Sequence, residues 1–180
     1  RGEVLQARHR RNLEITIGDY LEIIDCKTAH FISCCCRGGA LLAGAPETAC
    51  GALAEYGAQI GVVFQITDDL LDYVGDTEET GKDVGADFRE GKFTLPVIVA
   101  LNGSDDQATL IRKVLATEDP SDATFREVRR LVIESGATQR ARDFADGCTS
   151  AAIGALEALP EGPHRDTLRD IARWIEQRKR

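Results

Sequence analysis

Apolar residues recur at helical spacing through two long, nearly adjoining stretches of this chain, and no segment shows the two-residue alternation of a strand. In the first, from about Ile17 to Ala43, the positions Tyr20, Leu21, Ile24, Thr28, Phe31 and Ile32 suggest one buried stripe. Gly44-Ala45-Pro46 stops it, and Pro46 suits an early position of the next helix. That second helix runs to about Tyr73 through Leu53, Tyr56, Ile60, Phe64 and Leu71. Three or four further amphipathic helices are predicted, broken at Asn102-Gly103-Ser104, Asp119-Pro120-Ser121 and Pro160-Glu161-Gly162-Pro163. The expected architecture is all-α, an antiparallel helix bundle forming a single domain over residues 1–180.

The second stretch ends in three acids, Asp68, Asp69 and Asp72. The carbonyl end of a helix carries partial negative charge, which disfavours a carboxylate there by roughly 0.3–1 kcal/mol unless a cation compensates. Asp68 follows Phe64 by one turn and Asp72 follows Asp68 by another, so two of the acids continue an apolar face and are predicted at the mouth of a cavity. Mg²⁺ takes oxygen ligands, keeps several waters and borrows one or two protein carboxylates together with substrate phosphates, a demand this cluster suits. A solvated acidic helix end is the plainer reading, and alignment with the apolar face weighs against it.

The irregular segment from Val74 to Thr94 supplies the opposite sign. Lys82 follows Gly81 and Lys92 follows Gly91, so backbone and ammonium can both approach a phosphate. A loop this long is more often functional than passive. It is not a nucleotide P-loop: Gly75 to Gly81 and Gly85 to Gly91 each enclose five residues where four are needed, neither lysine precedes Ser or Thr, and no strand leads in. The acids lack the alternating positions of an EF-hand. Upstream, Lys27 stands at the border of the first stripe. A lysine there commonly snorkels, but beside a metal-binding helix end and a glycine-lysine loop it fits a shared diphosphate site.

Charge limits the partners. Lys plus Arg number 22 against 30 Asp plus Glu, a net charge of -8, which argues against a nucleic-acid binder that neutralises phosphates broadly. No apolar run approaches the roughly 18 residues of a membrane span, and the opening Arg1-Gly2-Glu3 does not read as a signal peptide, so a cytoplasmic protein is expected. Cys34-Cys35-Cys36 cannot converge on one metal because successive helical residues diverge; they are expected to be small buried hydrophobes in a reducing compartment. His30 is expected to be an ordinary helix histidine.

Together, Gly2-Glu3 with Gln6, Tyr20 through Lys27-Thr28-Ala29, Phe64-Gln65 with Asp68-Asp69-Leu70-Leu71-Asp72, Gly75-Asp76, Gly81-Lys82, Gly85 with Asp87, and Gly91-Lys92-Phe93-Thr94-Leu95-Pro96 resemble the trans-isoprenyl diphosphate synthases, or polyprenyl synthases. The resemblance spans essentially the whole chain and is strongest from Tyr20 to Pro96. It implies an isoprenoid-synthase helix bundle around a deep cavity, dimeric in the full-length protein, that couples an allylic diphosphate to isopentenyl diphosphate. Asp68, Asp69 and Asp72 would form the second aspartate-rich motif, holding Mg²⁺ against the allylic diphosphate. Lys27 and Lys82 would contact that diphosphate, with Lys92 close by. Thr28 and Gln65 would lie near the carbon that becomes cationic, beside the apolar wall of Phe64.

The first aspartate-rich motif of the family does not occur here, and Asp105-Asp106, which follow the second motif in a loop-like context, cannot replace it. The resemblance therefore implies the C-terminal part of a longer synthase, its N-terminal helices missing and with little activity alone. The alternative is a noncatalytic or complementing subunit that pairs with a chain carrying the first motif. A terpene cyclase is disfavoured by the intact Gly81-Lys82 and Gly91-Lys92 loop.

Overall fold

A computed structural model describes residues 1–75, 84–103 and 106–178, and these are helical, with no strand among them. The helices are α1 (Gly2–Arg8), α2 (Ile17–Ile24), a π-helical turn (Asp25–Ala29), α3 (His30–Leu42), α4 (Glu47–Val74), α5 (Ala86–Arg89), α6 (Leu95–Leu101), α7 (Asp106–Leu115), α8 (Asp122–Glu134), α9 (Ala137–Ala155) and α10 (Pro163–Glu176). The first predicted helix is thus present but interrupted by one wide turn. Its start is fixed by a capping box: Asp19 N–H donates to Thr16 Oγ1 at 3.1 Å, and Thr16 N–H donates back to Asp19 Oδ2 at 2.9 Å. Its end falls at Gly44, with φ +69°. Pro46 is the residue just outside α4, not its first turn, because its ψ of 154° is extended.

The breaks near residues 102, 120 and 161 fall where expected. A further break at Ser135-Gly136, where Gly136 adopts φ +71°, divides α8 from α9 on a Ser-Gly pair alone, with no proline beside it.

α4 is the central element, flanked along its length by α3 and α9. Both neighbours approach closely, for the same reason. On α9, Ala137, Ala141, Ala145, Thr149 and Ala152 form a fully buried row of small side chains. Toward α3, α4 presents Gly57 and Gly61; a Cβ on Gly57 would stand 2.8 Å from Ile32 O, and one on Gly61 2.4 Å from Ala29 Cα. Two apolar clusters result. The larger joins Tyr20, Ile24, Ile66, Leu70 and Tyr73 to α6 and α8, and the smaller joins Tyr56, Ile60 and Val63 to Leu156, Ala172 and Ile175.

The outer stripe of α3 departs from expectation. Phe31 is 71% exposed and Leu42 92% exposed, so the apolar period of this helix serves two faces, of which the bundle covers one. Cys34 and Cys35 lie on that open face, Cys36 is half-buried, and all six cysteines are free thiols. His30, also exposed, sits 3.7 Å from Cys34 Sγ. None of the described helices is long and apolar enough to cross a membrane.

Candidate functional site

The π-turn is the device that positions Lys27 and Thr28. Such turns insert one extra residue and re-aim side chains that a regular helix would point elsewhere. Two close approaches pin this one. Gly2 at the start of α1 leaves room for the Lys27 backbone, which a Cβ there would meet at 2.7 Å, and Gly61 receives Ala29 on the α4 side. Lys27 Nζ consequently reaches Glu3 Oε1 at 3.2 Å and Gln6 Oε1 at 3.3 Å, which gives the sequence pattern Gly2-Glu3 with Gln6 a physical reason. One turn beyond Gly61, Gln65 meets Thr28, whose Oγ1 donates to Gln65 Oε1 at 3.1 Å.

The three acids of α4 divide by orientation. Asp69 is only 3% exposed and faces the protein interior, where Tyr20 Oη donates to its Oδ2 at 2.6 Å and Gln65 Nε2 donates to its Oδ1 at 3.2 Å. Burial pushes its carboxyl up to about 7, against the lowering effect of these donors, and nearby Asp87 and Asp68 add to the rise. Asp68 and Asp72 are half-buried. Asp72 Oδ1 accepts from Gly85 N–H at 2.8 Å and Ala86 N–H at 3.2 Å, while its Oδ2 is buried without a partner. Gly85 makes this possible by adopting φ +85°, a left-handed conformation that turns two consecutive N–H groups toward the carboxylate. Burial raises Asp72 above the ordinary carboxylate range, and Asp87 raises it further.

The expected stripe through Leu53, Tyr56, Ile60, Phe64 and Leu71 is only partly buried. Tyr56 and Ile60 are enclosed, but Phe64 is 36% exposed, so Phe64, Asp68 and Asp72 line up along an open face beside the buried one. Arg178 lies over the Phe64 ring, 5.2 Å from its centroid. Lys92 is held at 2.7 Å from Glu90 Oε2 and 3.6 Å from Asp87 Oδ1. Lys82 lies outside the described residues.

A cavity of about 20 Å³, room for one water molecule, draws several of these groups together: Lys27, Gln65, Asp69 and Lys92 line it with Tyr20 and Gln6. A far larger cavity, of about 740 Å³, lies on another side of α4 among Leu70, Leu71, Arg142, Asp146 and Glu176, and contains none of the predicted site residues. Size is outweighed here by chemistry, because two lysines, Lys27 and Lys92, and the Asp69 carboxyl line the small one.

Asp87 belongs to the site and was not singled out by charge pattern. Burial raises its carboxyl; Lys92 and Lys27 oppose that rise, and Asp68 adds to it. Its signal in the sequence was the spacing from Gly85, legible only as part of the whole motif.

A divalent ion fits these residues in a limited way. Among the described residues no three His, Cys, Asp or Glu side chains converge to cage an ion. The orphaned Asp72 Oδ2, with Asp68 one turn away, instead offers the one or two carboxylates that Mg²⁺ uses when waters and phosphate oxygens complete its shell.

Comparison with known proteins gives a consistent result. The family profile described as polyprenyl synthetase matches residues 1–132. The chain is 39% identical over 173 residues to the all-trans-nonaprenyl-diphosphate synthase (geranyl-diphosphate specific) of Rhodobacter capsulatus, covering 96% of this chain and 52% of that protein. It is 37% identical over 185 residues to the octaprenyl diphosphate synthase of Escherichia coli K12, covering 99% and 55%. Among solved structures, the polyprenyl synthase of Caulobacter crescentus CB15, complexed with calcium and isoprenyl diphosphate, superposes with a TM-score of 0.91 at 37% identity, over 99% of this chain and 55% of that one. The chain spans about half the length of the relatives it matches.

Proposed function

Because the chain belongs to the polyprenyl synthetase family, we propose that it is the part of a trans-prenyltransferase that holds and ionises an allylic diphosphate for condensation with isopentenyl diphosphate. The observation that carries this reading is the convergence of Lys27, Lys92, Gln65 and Asp69 around one water-sized cavity, with Asp68 and the half-satisfied Asp72 on the same helix as Asp69. The reading is supported by the Thr28–Gln65 hydrogen bond, which ties the π-turn that carries Lys27 to the helix that carries the aspartates.

Breaking the allylic carbon–oxygen bond places new negative charge on the departing diphosphate. Bound Mg²⁺ would supply Lewis-acid neutralisation of that charge, held by Asp68 and Asp72 with Asp69 as the buried third member of the motif. Lys27 and Lys92 would bind the same oxygens, joined by Lys82 as the resemblance implies, and cations placed before the bond breaks favour the transition state over the ground state. Lys27 must exchange Glu3, and Lys92 must exchange Glu90, for the diphosphate. Phe64 contributes an apolar wall that keeps water from the carbon left behind. The full-length protein is proposed to be a cytoplasmic homodimer.

The test is calorimetric titration of an allylic diphosphate into the 180-residue chain with and without Mg²⁺. Binding is expected only with the metal, and Asp72→Asn or Lys27→Ala should weaken it by roughly tenfold, the loss of one charge-assisted contact. Equal binding without metal, or indifference to Asp72→Asn, would count against the reading. Supplied with isopentenyl diphosphate as well, the chain is expected to form no product by itself, and measurable turnover would overturn that expectation.

A further inference from the structure

Among the described residues Asp69 is the one carboxylate that is fully buried, and its two oxygens are both engaged by donors of the protein itself. The consequence runs outward along a chain of hydrogen bonds. A side-chain amide has one donating and one accepting end. With the Gln65 NH₂ group committed to Asp69, its Oε1 must face Thr28, and at 3.1 Å the Thr28 hydroxyl must be the donor. A threonine hydroxyl has a single proton. Once that proton is given to Gln65, Thr28 can offer only lone pairs to anything on its open, half-buried side.

We infer that Asp69 is a positioning residue that, as the carboxylate, fixes the direction of the Asp69–Gln65–Thr28 hydrogen bonds, so that Thr28 turns lone pairs toward the developing allylic cation. The inference rests on the proposed function for the place of that cation. Its physical content is separate. If the carboxylate were neutralised by substitution, the Gln65 amide could turn over, Thr28 would become an acceptor, and its proton would be free to point outward against positive charge. Tyr20 orients the carboxylate from the other end, because its hydroxyl occupies Asp69 Oδ2 and leaves Oδ1 for Gln65, while the polarity itself comes from the acceptor-only carboxylate. Burial of Asp69 keeps water from competing for either oxygen.

Asp69→Asn and Tyr20→Phe preserve size at these positions, and circular dichroism establishes that each variant is folded. The first readout is the side-chain amide of Gln65 in ¹⁵N-labelled chain without ligand. In the parent its protons should be shifted downfield and exchange roughly tenfold more slowly than those of exposed Gln177, as expected for a hydrogen bond to a charged acceptor. Asp69→Asn should abolish that signature, whereas Tyr20→Phe, which keeps the charged acceptor, and Thr28→Val should leave it in place. The second readout is binding, with Mg²⁺, of an allylic diphosphate analogue bearing ammonium nitrogen at the reacting carbon, compared with its uncharged carbon isostere. The parent should prefer the ammonium analogue by about tenfold, the scale of one favourable charge–dipole contact. Asp69→Asn should lose the preference, its affinities for the two analogues becoming equal whatever the change in overall binding, whereas Tyr20→Phe, which leaves an acceptor-only carboxylate facing Gln65, should keep it. A Gln65 amide that exchanges like Gln177, or equal affinity of the parent for the two analogues, overturns the inference. Failure to bind either analogue overturns the proposed function, and with it the role assigned to Thr28.

Discussion

Gly61→Ala tests the packing that builds the site. The added Cβ would stand 2.4 Å from Ala29 Cα, 2.9 Å from Ala29 Cβ and 3.2 Å from Ala29 N, whereas non-bonded carbons are comfortable at about 3.5–4.0 Å. Relief requires the π-turn and α4 to part locally by about 1 Å, and no flexible side-chain end is available to absorb it, because the contacts are to backbone and Cβ. Overpacking of this kind costs about 1–3 kcal/mol. Alanine recovers about 1 kcal/mol through its better helix propensity. With a backbone clash the upper part of the range applies, so a net loss of about 1–2 kcal/mol is expected, or a fall in Tm of roughly 2–8 °C for a chain of this size.

Gly51 is the internal control. It lies on the same helix with nothing within 4 Å of a built Cβ, so Gly51→Ala should keep the propensity gain and stabilise by up to about 1 kcal/mol. Parallel urea denaturation of the two variants gives the difference directly. The displacement should also break the 3.1 Å Thr28–Gln65 hydrogen bond, visible as a shift of the Gln65 side-chain amide resonance. Equal stability of the two variants, with that resonance unmoved, would refute the account of α4 packing against the π-turn.

Stability should also depend on pH through the buried acids. Asp69 is raised from 3.8 to about 7, and Asp72 and Asp87 are raised as well, so the folded state holds more protons than the unfolded state in this window. The contribution is fully present below about pH 4 and is lost as pH rises through about 7, on the order of 4 kcal/mol from Asp69. Asp69→Asn should flatten that limb of a pH series of urea melts, and an unchanged slope would contradict the burial argument. Phe31→Glu with Leu42→Lys should reduce self-association of the 180-residue chain in sedimentation velocity, since both side chains stand in solvent on one face of α3; unchanged association would place the sticky surface elsewhere. Gly85→Ala should cost stability and weaken Mg²⁺-dependent diphosphate binding, because a Cβ there meets the Phe125 ring at 2.7 Å and φ +85° is strained for alanine. Wild-type binding in a folded Gly85→Ala chain would exclude the Gly85–Asp72 contact from the site.

Long-range hydrophobic period and punctuation made the helices legible, since Gly44, the Asp119-Pro120-Ser121 turn and Pro163 each impose a local conformation whatever surrounds them. The Gly136 break was not legible, because its left-handed φ acquires meaning only from the two helices it divides. Phe31 misled for a related reason: periodicity reports that a face is apolar and says nothing of what covers it. The site divides in the same way. Residue type and spacing on one helix sufficed to mark Asp68, Asp69 and Asp72, and the ordered motifs brought in Lys27, Thr28, Gln65 and Lys92. Spacing alone grouped the three aspartates without distinguishing them.

That distinction came from tertiary contacts. Asp69 is an inward anchor because Tyr20, 49 positions away, is brought against it. Asp72 is cradled because Gly85, 13 positions away, turns its N–H toward it. The π-turn that aims Thr28 at Gln65 depends on two glycines on different helices, Gly2 and Gly61, whose lack of side chains is visible in the sequence but whose partners are not. The sequence by itself determined helices, charge inventory and chemistry, because these follow from local propensity and residue type. Which oxygen is buried, which is orphaned and which way a hydroxyl proton points was decided only by tertiary structure, because hydrogen-bond direction and desolvation depend on what folding brings within about 3 Å.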